Sequence, residues 1–319
     1  MRYNRSVPDH FVLIDSHALI YRAYHAFPAL TSPEGMLVNA VFGYTRILLN
    51  AIRDLEPTYI VATFDHKGKT KRKEEYEAYK AHREAMPDDL IPQIALVKDI
   101  VTALNIPQFS LEGYEADDLI GTITAHMEKE HQTVHSSIVT GDKDMFQLVT
   151  EKTHVWLPGR GSKTQDMEYD RDAVYEKMGI TVDQIIDLKS LMGDASDNIP
   201  GVKGVGQKTA IALLTAHKSL DGVYKRLDEL EGGAVATDRE VIKGAVRTKL
   251  LADKENAYLS QKLATIDRDV PMTFALEPCR VTQYDKQVAS ELLEKFGFKS
   301  LKNSLPRDDF ELGVQKALF

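Results

Sequence analysis

The sequence contains almost no cysteine and no long hydrophobic run. Cys279 is the only cysteine among 319 residues, so no internal disulfide can form, and such a chain suits a reducing cytoplasm. No segment approaches the roughly 20 apolar residues of a membrane-spanning helix, and residues 1–10 carry charges instead of the apolar stretch of a secretory signal. We therefore expect a soluble cytoplasmic protein that has no membrane partner.

An excess of positive charge is also missing. The chain has 40 Lys and Arg against 48 Asp and Glu, and this net charge of -8 is unusual for a protein that handles a polyanion. Nine of the acidic residues fall in five short clusters, however, and without them 39 Asp and Glu oppose the 40 Lys and Arg. The rest of the chain is nearly neutral, so local charge decides its partners.

The first half of the chain alternates between strand-like and helical patterns. The strand-like runs are Phe11–Ile14, Tyr59–Phe64, Ser137–Thr140 and His154–Leu157, and the helical patterns are Ala40–Asp54, Leu90–Leu104 and Ala116–Lys129. This alternation predicts an α/β fold with a parallel sheet that helices cover on both faces.

The second half has mainly helical patterns, and no long linker precedes it. These patterns are Asp172–Met178, Val182–Met192, Gln207–Ala216, Leu220–Leu230, Val241–Leu259 and Asp285–Phe296, with one short β-like run at Leu263–Ile266. We predict an α/β domain over residues 10–172, a helical subdomain over residues 173–300 and a C-terminal tail over residues 301–319.

Four of the five acidic clusters follow a strand-like run or open a helix. Asp15, Asp65 and Asp142 follow strand-like runs, and the carboxyl ends of parallel strands form the ligand-binding edge of such a sheet. Closely spaced carboxylates repel one another unless a cation lies among them. Ligands that are all oxygen, with no Cys or His at ligand spacing, favour Mg²⁺ or Mn²⁺ over zinc. The full set is Asp15, Asp65, Glu115, Asp117, Asp118, Asp142, Asp144, Asp194 and Asp197.

Each of these acids alone also has a structural explanation. An Asp after a strand commonly caps the next helix, and Asp117 and Asp118 could complement a helix dipole. Capping does not require acids in all five clusters at once, so a divalent metal site is the better interpretation of the whole set. The histidines show no ligand spacing, and we assign them no chemistry.

A glycine-rich turn precedes the helical pattern at Gln207–Ala216. Its order of residues fits neither a P-loop, in which Lys directly follows the last glycine, nor a dinucleotide fingerprint, which follows a strand. The turn from Gly201 to Gly206 is instead a tight hairpin between helices, whose backbone N–H groups could hold a phosphate. Lys203 and Lys208 flank it and favour this interpretation over a simple packing turn.

A basic run follows Asp65. Residues 66–83 contain seven Lys or Arg against three Glu, interleaved with Tyr76 and Tyr79. This pattern indicates phosphate contacts with a platform on which bases stack, although a solvated helical face would also produce it. Its position beside a candidate metal ligand favours the functional interpretation.

Four strings in combination resemble the 5′-nuclease (flap endonuclease) family, and most closely the N-terminal 5′-3′ exonuclease domain of bacterial DNA polymerase I. They are Tyr114-Glu-Ala-Asp-Asp118, Thr140-Gly-Asp-Lys-Asp144, Leu191-Met-Gly-Asp-Ala-Ser-Asp-Asn-Ile-Pro-Gly201 and Gly204-Val-Gly-Gln-Lys-Thr-Ala210. The resemblance extends from about Phe11 to about Phe298. One small departure is Ala195, where the polymerase domains usually carry Ser.

The resemblance implies a PIN/resolvase-like nuclease core with a helical arch, followed by a helical subdomain that carries a helix-hairpin-helix. It implies one metal ion at Asp15, Asp65, Glu115 and Asp117 and a second at Asp142, Asp144 and Asp197, with Asp118 and Asp194 as supporting ligands. Within the arch it implies catalytic contacts from Arg72, Lys80 and Arg83 and a DNA contact from Tyr79. In the hairpin it implies DNA contacts from Gly201, Lys203, Gly204, Gly206, Lys208 and Thr209, with a bound K⁺.

The function so implied is a 5′-3′ exonuclease and 5′ flap endonuclease that uses two Mg²⁺ ions, which Mn²⁺ can replace. Its partners would be nicked or branched duplex DNA, an RNA primer and a DNA polymerase in cis or in trans, and we expect a monomer. The chain would be either a free-standing nuclease or a domain of a polymerase. Two alternatives remain: a PIN-like ribonuclease, and a catalytically silent protein that binds DNA junctions.

Overall fold

The structure is a computed structural model, and it describes residues 9–159, 165–237, 240–281, 284–308 and 311. The chain divides into two compact units: unit 1 consists of residues 1–68, 85–169 and 267–319, and unit 2 of residues 69–84 and 170–266. This division differs from the predicted domains in two places. The basic run groups with the helical unit, and the segment after residue 266 groups with the sheet.

Unit 1 is built on a mostly parallel sheet. Its strands are β1 (His10–Asp15), β2 (Tyr59–Thr63), β3 (Gln108–Phe109), β4 (His135–Val139), β5 (Thr153–Leu157) and β6 (Met167–Tyr169). Their order in the sheet is β3-β2-β1-β4-β5-β6, and β6 alone among these strands runs antiparallel, along β5. The four predicted strands and the parallel α/β fold are confirmed. β3 and β6 were not predicted, because runs of two and three residues carry no readable periodicity.

The helices follow in chain order. They are α1 (Ser16–Ala26), α2 (Asn39–Leu55), α3 (Lys71–Glu75), α4 (Ile91–Ala103), α5 (Ala116–Glu130), α6 (Arg171–Met178), α7 (Ile185–Met192), α8 (Gln207–His217), α9 (Leu220–Glu231), α10 (Gly244–Ala252), α11 (Lys254–Ala264), α12 (Lys286–Lys295) and α13 (Lys299–Lys302). α3 and α6 to α11 belong to unit 2, and the others belong to unit 1. Short 3₁₀ helices occupy Lys143–Leu148, Val182–Gln184 and Glu277–Cys279.

The core of unit 1 explains why the end of the chain groups with the sheet. Val12 and Ile14 of β1 belong to one apolar cluster with Leu48 of α2, and this cluster also contains Leu293 of α12 and Phe298. β1 is buried along its apolar run, as expected of a central parallel strand with helices on both faces. The segment predicted as a tail therefore begins inside this core, and its last residues, 312–319, lie outside the described part.

Unit 2 is helical, as predicted, but two of its predicted elements are wrong. The pattern Val241–Leu259 forms two helices, α10 and α11, which meet at Asp253, where the backbone leaves the helical conformation (φ −119°, ψ 24°). The β-like run Leu263–Ile266 instead contains the end of α11, where Leu263 is buried in packing against Tyr79 and Ile199. Apolar residues in short runs serve either element, so periodicity alone could not decide.

Across the described ranges, each helix is either too short or too polar to cross a lipid bilayer.

Candidate active site

Three acidic side chains of unit 1 lie at one edge of its sheet. β2, β1 and β4 are adjacent parallel strands, so their carboxyl ends meet at the same edge. Asp15 is the last residue of β1, Asp65 follows β2 and Asp142 follows β4. The structure thus places these three acids as predicted, and their role as metal ligands stays a prediction.

Asp15 is buried at this edge, with 4% of its surface exposed. Its Oδ1 accepts a hydrogen bond from the Ala18 N–H at 3.3 Å, and its Oδ2 accepts one from the Thr140 hydroxyl at 2.6 Å. Burial, opposed by the Thr140 hydrogen bond and reinforced by the charges of Asp142 and Asp65, raises the pKa of Asp15 to about 7. A cation among these carboxylates would relieve their repulsion.

Thr140 connects two of the acids. Its hydroxyl donates to Asp15 and accepts a hydrogen bond from the Asp142 N–H at 2.9 Å. Asp142 Oδ1 in turn accepts from the Asp144 N–H at 2.9 Å, where a 3₁₀ helix begins. No role was predicted for Thr140, although a hydroxyl residue directly after a central strand is the signal that could have identified it.

Asp65 is held by a backbone amide and by a histidine. Its Oδ1 accepts from the Ala116 N–H at 2.8 Å, and its own N–H donates to His17 Nδ1 at 3.0 Å. Burial lowers the pKa of His17, which favours the neutral ring with Nδ1 as an acceptor. His17 is therefore a positioning residue for Asp65. This role was not predicted, because the histidines were considered only as metal ligands.

The acids at the start of α5 have a clear structural role. The side chain of Glu115 and that of Asp118 each accept the other's backbone N–H, which forms a capping box. Asp118 Oδ1 also accepts from the Asp267 N–H at 2.9 Å and so fastens a distant part of unit 1. Both oxygens of Asp118 thus hold backbone groups, which suits a supporting residue better than a direct metal ligand.

The donor set at the sheet edge fits a hydrated divalent ion. Among the described residues, no three acidic, histidine or cysteine side chains converge as direct ligands of one metal ion. Mg²⁺ keeps several of its waters and is commonly bound through only one or two carboxylates, so such convergence is not required. The oxygen donors and the raised pKa of Asp15 agree with such an ion, which Asp15, Asp65 and Asp142 would hold.

Two further acids of the predicted set, Asp194 and Asp197, lie in unit 2, and each contacts a cation there. Asp194 Oδ2 lies 2.6 Å from Lys189 Nζ; burial alone would raise the pKa of Asp194, but hydrogen bonds from Lys189 and Ser196 hold it at about 2. Asp197 Oδ1 lies 2.5 Å from Arg83 Nη2. A metal role for Asp194 and Asp197 is not tested by these contacts and stays a prediction.

The segment predicted as a helical arch is a five-residue helix, α3, followed by turns. Arg72 donates to the Thr265 carbonyl at 2.8 Å, and Lys80 N–H donates to the Asp197 carbonyl at 2.9 Å. Tyr79 is 3% exposed and packs against Ile199. The structure therefore corrects the stacking role predicted for Tyr79, because its ring belongs to the core of unit 2.

The glycine hairpin owes its shape to Gly193 and Gly201. Both have left-handed backbone angles (φ +73° and +60°), and a Cβ on Gly201 would lie 2.2 Å from the Gly193 nitrogen. Gly204 is also left-handed (φ +78°). Gly206 is not: its φ is −96°, and a Cβ there would meet no atom within 4 Å. The backbone at Gly206 therefore does not require glycine, and the open space leaves room for a ligand.

Side chains on α10, on α11 and at the junction between these helices hold the hairpin through hydrogen bonds, and none of them was predicted. The Gly201 N–H donates to Ser260 Oγ at 2.8 Å, and the Lys203 N–H donates to Asp253 Oδ2 at 3.0 Å. Lys249 Nζ donates to the Gly204 carbonyl at 2.7 Å. Lys203, Gly206 and Lys208 remain exposed, and Thr209 is half-buried in the first turn of α8.

Comparison with known protein families shows which family the chain belongs to. A model described as "5'-3' exonuclease, N-terminal resolvase-like domain" matches residues 10–179, and one described as "5'-3' exonuclease, C-terminal SAM fold" matches residues 180–287. The chain belongs to the 5′-3′ exonuclease family. This finding confirms the resemblance that the sequence motifs indicated.

Curated relatives of this 5′-3′ exonuclease chain are much longer proteins. The DNA polymerase I of Bacillus caldotenax is 38% identical over 97% of this chain and 34% of its own length. That of Caldicellulosiruptor bescii is 39% identical over 91% of this chain and 33% of its own length. The chain thus spans about a third of the length of the curated relatives it matches.

Solved structures confirm the fold of the 5′-3′ exonuclease chain. The T5 D15 flap endonuclease, in a pseudo-enzyme-product complex with DNA and metal ions, is 22% identical with a TM-score of 0.62, covering 92% of this chain and 99% of that one. The catalytic core of Rad2, in complex with DNA substrate, is 16% identical with a TM-score of 0.57, covering 93% and 92%. At these identities the likeness establishes the fold alone.

The 5′-3′ exonuclease models and the compact units divide the chain differently. The first model includes residues 69–84, which belong to unit 2, and the second includes residues 267–287, which belong to unit 1. Each compact unit of this family member is therefore assembled from segments that are separated in sequence.

Proposed function

We propose that this chain hydrolyses phosphodiester bonds of DNA near a free 5′ end, at flaps and nicks, in the presence of Mg²⁺. The observation that carries the proposal is the buried Asp15 at the sheet edge, whose pKa is raised to about 7 beside Asp142 and Asp65. A buried acid with charged neighbours is costly to a fold, and it is typical of a site at which a cation acts. Membership of the 5′-3′ exonuclease family supplies the reaction class.

Asp15, Asp65 and Asp142 would bind the metal ions directly or through water, and Glu115, Asp117 and Asp144 would complete the set. When bound, Mg²⁺ supplies a Lewis acid for the phosphate and lowers the pKa of water. Thr140 holds the Asp15 carboxylate and the Asp142 backbone together, and His17 with the α5 amide fixes Asp65. Asp118 supports α5. Asp194 and Asp197 are assigned to this set from the family motif alone.

Lys80 and Arg83 are proposed to bind phosphate of the 5′ strand, with Arg72 nearby on the same segment. Their side chains already lie at an anion, since Lys80 Nζ is 3.9 Å and Arg83 Nη2 is 2.5 Å from the Asp197 carboxylate. Two cations that converge on a carboxylate have the chemistry that also recognises a phosphate. A substrate phosphate would then compete with Asp197 for them.

The hairpin is proposed to bind the duplex backbone without reading its sequence. Exposed Lys203 and Lys208 supply charge, and the uncapped amides at the start of α8 supply donors next to the open space at Gly206. Gly201, Gly204 and Thr209 shape this surface. Contacts of this kind position a protein on DNA but do not select bases.

The proposed partners are DNA with a 5′ flap or nick, an RNA primer annealed to DNA, and a DNA polymerase region in cis or in trans. The DNA in the T5 and Rad2 complexes and the DNA polymerase I relatives support this choice. The chain is proposed to act as a monomer.

A single cleavage experiment tests the proposal against its alternatives. A 5′-flap DNA and a single-stranded RNA of the same sequence are incubated with the protein in Mg²⁺, in Mn²⁺ and in EDTA. We expect cleavage of the flap in either metal and none in EDTA. Preference for the RNA would favour a PIN-like ribonuclease, and binding of the flap without cleavage in any metal would favour a silent junction-binding protein.

A further inference from the structure

Lys249 contacts the hairpin through its side-chain ammonium. It belongs to the last turn of α10, and its Nζ donates to the Gly204 carbonyl at 2.7 Å. The approach is close, because a Cβ on Gly204 would lie 3.0 Å from the same Nζ and 3.1 Å from Cε. Gly204 is thus the residue type that leaves room for the ammonium.

A bound K⁺ at the hairpin, expected from the family resemblance, would have to share the Gly204 carbonyl with Lys249. A monovalent cation is held by carbonyl oxygens that point toward one site, and here the Gly204 oxygen already accepts from an ammonium. The neighbouring Lys203 N–H is taken by Asp253, whose other oxygen accepts from Asn256. The ammonium of Lys249 thus already brings a positive charge to a carbonyl of the hairpin.

The charge of Lys249 is available to a ligand. Lys249 forms no ion pair with any carboxylate of the described residues, and a carbonyl dipole neutralises an ammonium only in part. An ammonium has three N–H donors, so the bond to Gly204 leaves donors for a phosphate oxygen. Lys203 and Gly206 of the hairpin and Lys208 in the first turn of α8 are exposed.

We propose that Lys249 is the built-in cation of the duplex-binding hairpin. It binds a DNA phosphate that docks at residues 204–206, and it makes duplex binding independent of which monovalent cation is in solution. The inference deepens the proposed function, on which it rests, because it presumes that the hairpin binds duplex DNA. It adds a phosphate-binding residue that lies 45 positions from the hairpin in sequence.

The first test uses the unaltered chain. Its affinity for a blunt DNA duplex is measured by fluorescence anisotropy in EDTA, which prevents metal-dependent cleavage, with KCl or tetramethylammonium chloride at equal ionic strength. Tetramethylammonium is too large for a carbonyl-lined ion site. We expect the two dissociation constants to agree within about twofold, because phosphate contacts of the protein's own cations set the affinity. An affinity that falls fivefold or more when K⁺ is withdrawn would overturn the proposal.

The second test removes the charge. Lys249→Gln keeps an N–H donor for the Gly204 carbonyl, and we expect it to weaken duplex binding by about tenfold and to lower the slope of log affinity against log salt by about one. Lys249→Arg, which keeps the charge, should recover most of the loss, a rescue that a purely structural role in the fold would not predict. Unchanged affinity and slope in Lys249→Gln would overturn the proposal.

Lys225→Gln is the matched control, since it removes an exposed lysine from α9 of the same unit. It should leave the affinity within about twofold of the wild type. If the wild type bound no duplex in either salt, the proposed function itself would be contradicted, and this outcome is distinct from a duplex affinity that depends on K⁺. Melting temperatures of all variants, measured in parallel, show whether each remains folded.

Discussion

The acids of the two units are stabilised in opposite ways. In unit 1, Asp15 is buried among other carboxylates and held by a hydroxyl and a backbone amide, and its pKa is raised to about 7. In unit 2, Asp194 is held by Lys189 and Ser196, and its pKa is lowered to about 2. The comparison shows that an acidic motif in the sequence does not determine whether the pKa of its acid is raised or lowered. Unit 1 would gain from an external cation, whereas Asp194 of unit 2 already has Lys189 as its partner.

The largest expected effect concerns catalysis at the unit 1 edge. Asp142→Asn should lower the turnover of a 5′ flap by at least about a hundredfold, because a lost ligand removes charge stabilisation that matters mainly in the transition state. Flap binding should stay within a few-fold. Single-turnover cleavage at saturating Mg²⁺ measures the first quantity and anisotropy the second.

Asp54→Asn is the control for that experiment. Asp54 is an exposed acid near the end of α2, before β2 begins, and it contacts Arg53. The Asp54→Asn variant should cleave the flap at the wild-type rate. Near-normal turnover of Asp142→Asn would contradict a metal site at this edge of the sheet. An equal loss of turnover in both variants would show that the effect is not specific to Asp142.

The next effect concerns stability, and it should have opposite signs in the two units. A pKa raised in the folded state means that ionising Asp15 costs folding free energy as pH rises from about 4 to about 7. Asp15→Asn should therefore stabilise the metal-free protein at pH 8 by up to a few kcal/mol and flatten the pH dependence in that window. Urea unfolding in EDTA at pH 5 and pH 8 measures both quantities, and a variant less stable than the wild type at pH 8 would contradict this account.

Asp194→Asn is the counterpart in unit 2. The lowered pKa of Asp194 means that its ionised form stabilises the fold above about pH 4, a contribution that is lost as pH falls toward about 2. The substitution leaves Lys189, whose side chain is 14% exposed, without its carboxylate. We expect a loss of about 1–3 kcal/mol at pH 7 in the same urea experiment. Equal signs for both substitutions would remove the contrast between the units.

These pairs show what the sequence could and could not predict. The strand-end acids were predictable because apolar runs such as Phe11–Ile14 mark a buried strand, and chain order then places the next acid at the sheet edge. The environments of Asp15 and Asp197 were not, because they depend on partners far away in sequence. Thr140 is 125 residues from Asp15, and Arg83 is 114 residues from Asp197.

Packing limits prediction in the same way. Tyr79 sits in a basic run that indicates a nucleic-acid surface, yet Ile199 and Leu263 cover its ring. α1 was not predicted, although Leu19, Ile20 and Ala23 form its buried face and the Asp15 side chain caps its first turn by accepting the Ala18 N–H.

A smaller effect should separate the hairpin from the fold. Gly206→Val places a side chain in open space at a backbone angle that valine accepts, so the melting temperature should change little. The same side chain would occupy the space proposed for a phosphate, and we expect duplex affinity to fall by about tenfold for every sequence tested. Undiminished affinity for duplex DNA, measured by anisotropy, would mean that the backbone of DNA does not approach Gly206.

The smallest expected effect concerns His17. His17→Ala removes the acceptor for the Asp65 N–H, and we expect Mg²⁺ affinity to fall by about three- to tenfold. This is less than the roughly 10–100-fold typical of residues that bind a ligand from behind, because His17 holds the backbone of Asp65 and not its carboxylate. His17→Asn can place an oxygen near the position of Nδ1 and should recover part of the loss. Isothermal titration of the metal-free protein measures both variants without any cleavage. Identical affinities in the wild type and His17→Ala would assign His17 to packing alone.

The contact between Gly193 and Gly201 restricts how this chain can evolve. A Cβ on Gly201 would collide with the backbone of Gly193, and a Cβ on Gly193 would collide with the backbone of Ile199 and Pro200, so a substitution at either position meets main-chain atoms that cannot rotate away. A single substitution at either position therefore disrupts this arrangement. A surface lysine at the hairpin can be replaced by another lysine nearby, but the backbone geometry requires these two glycines whether or not selection acts on DNA binding. Random variants selected only for solubility should therefore retain both glycines.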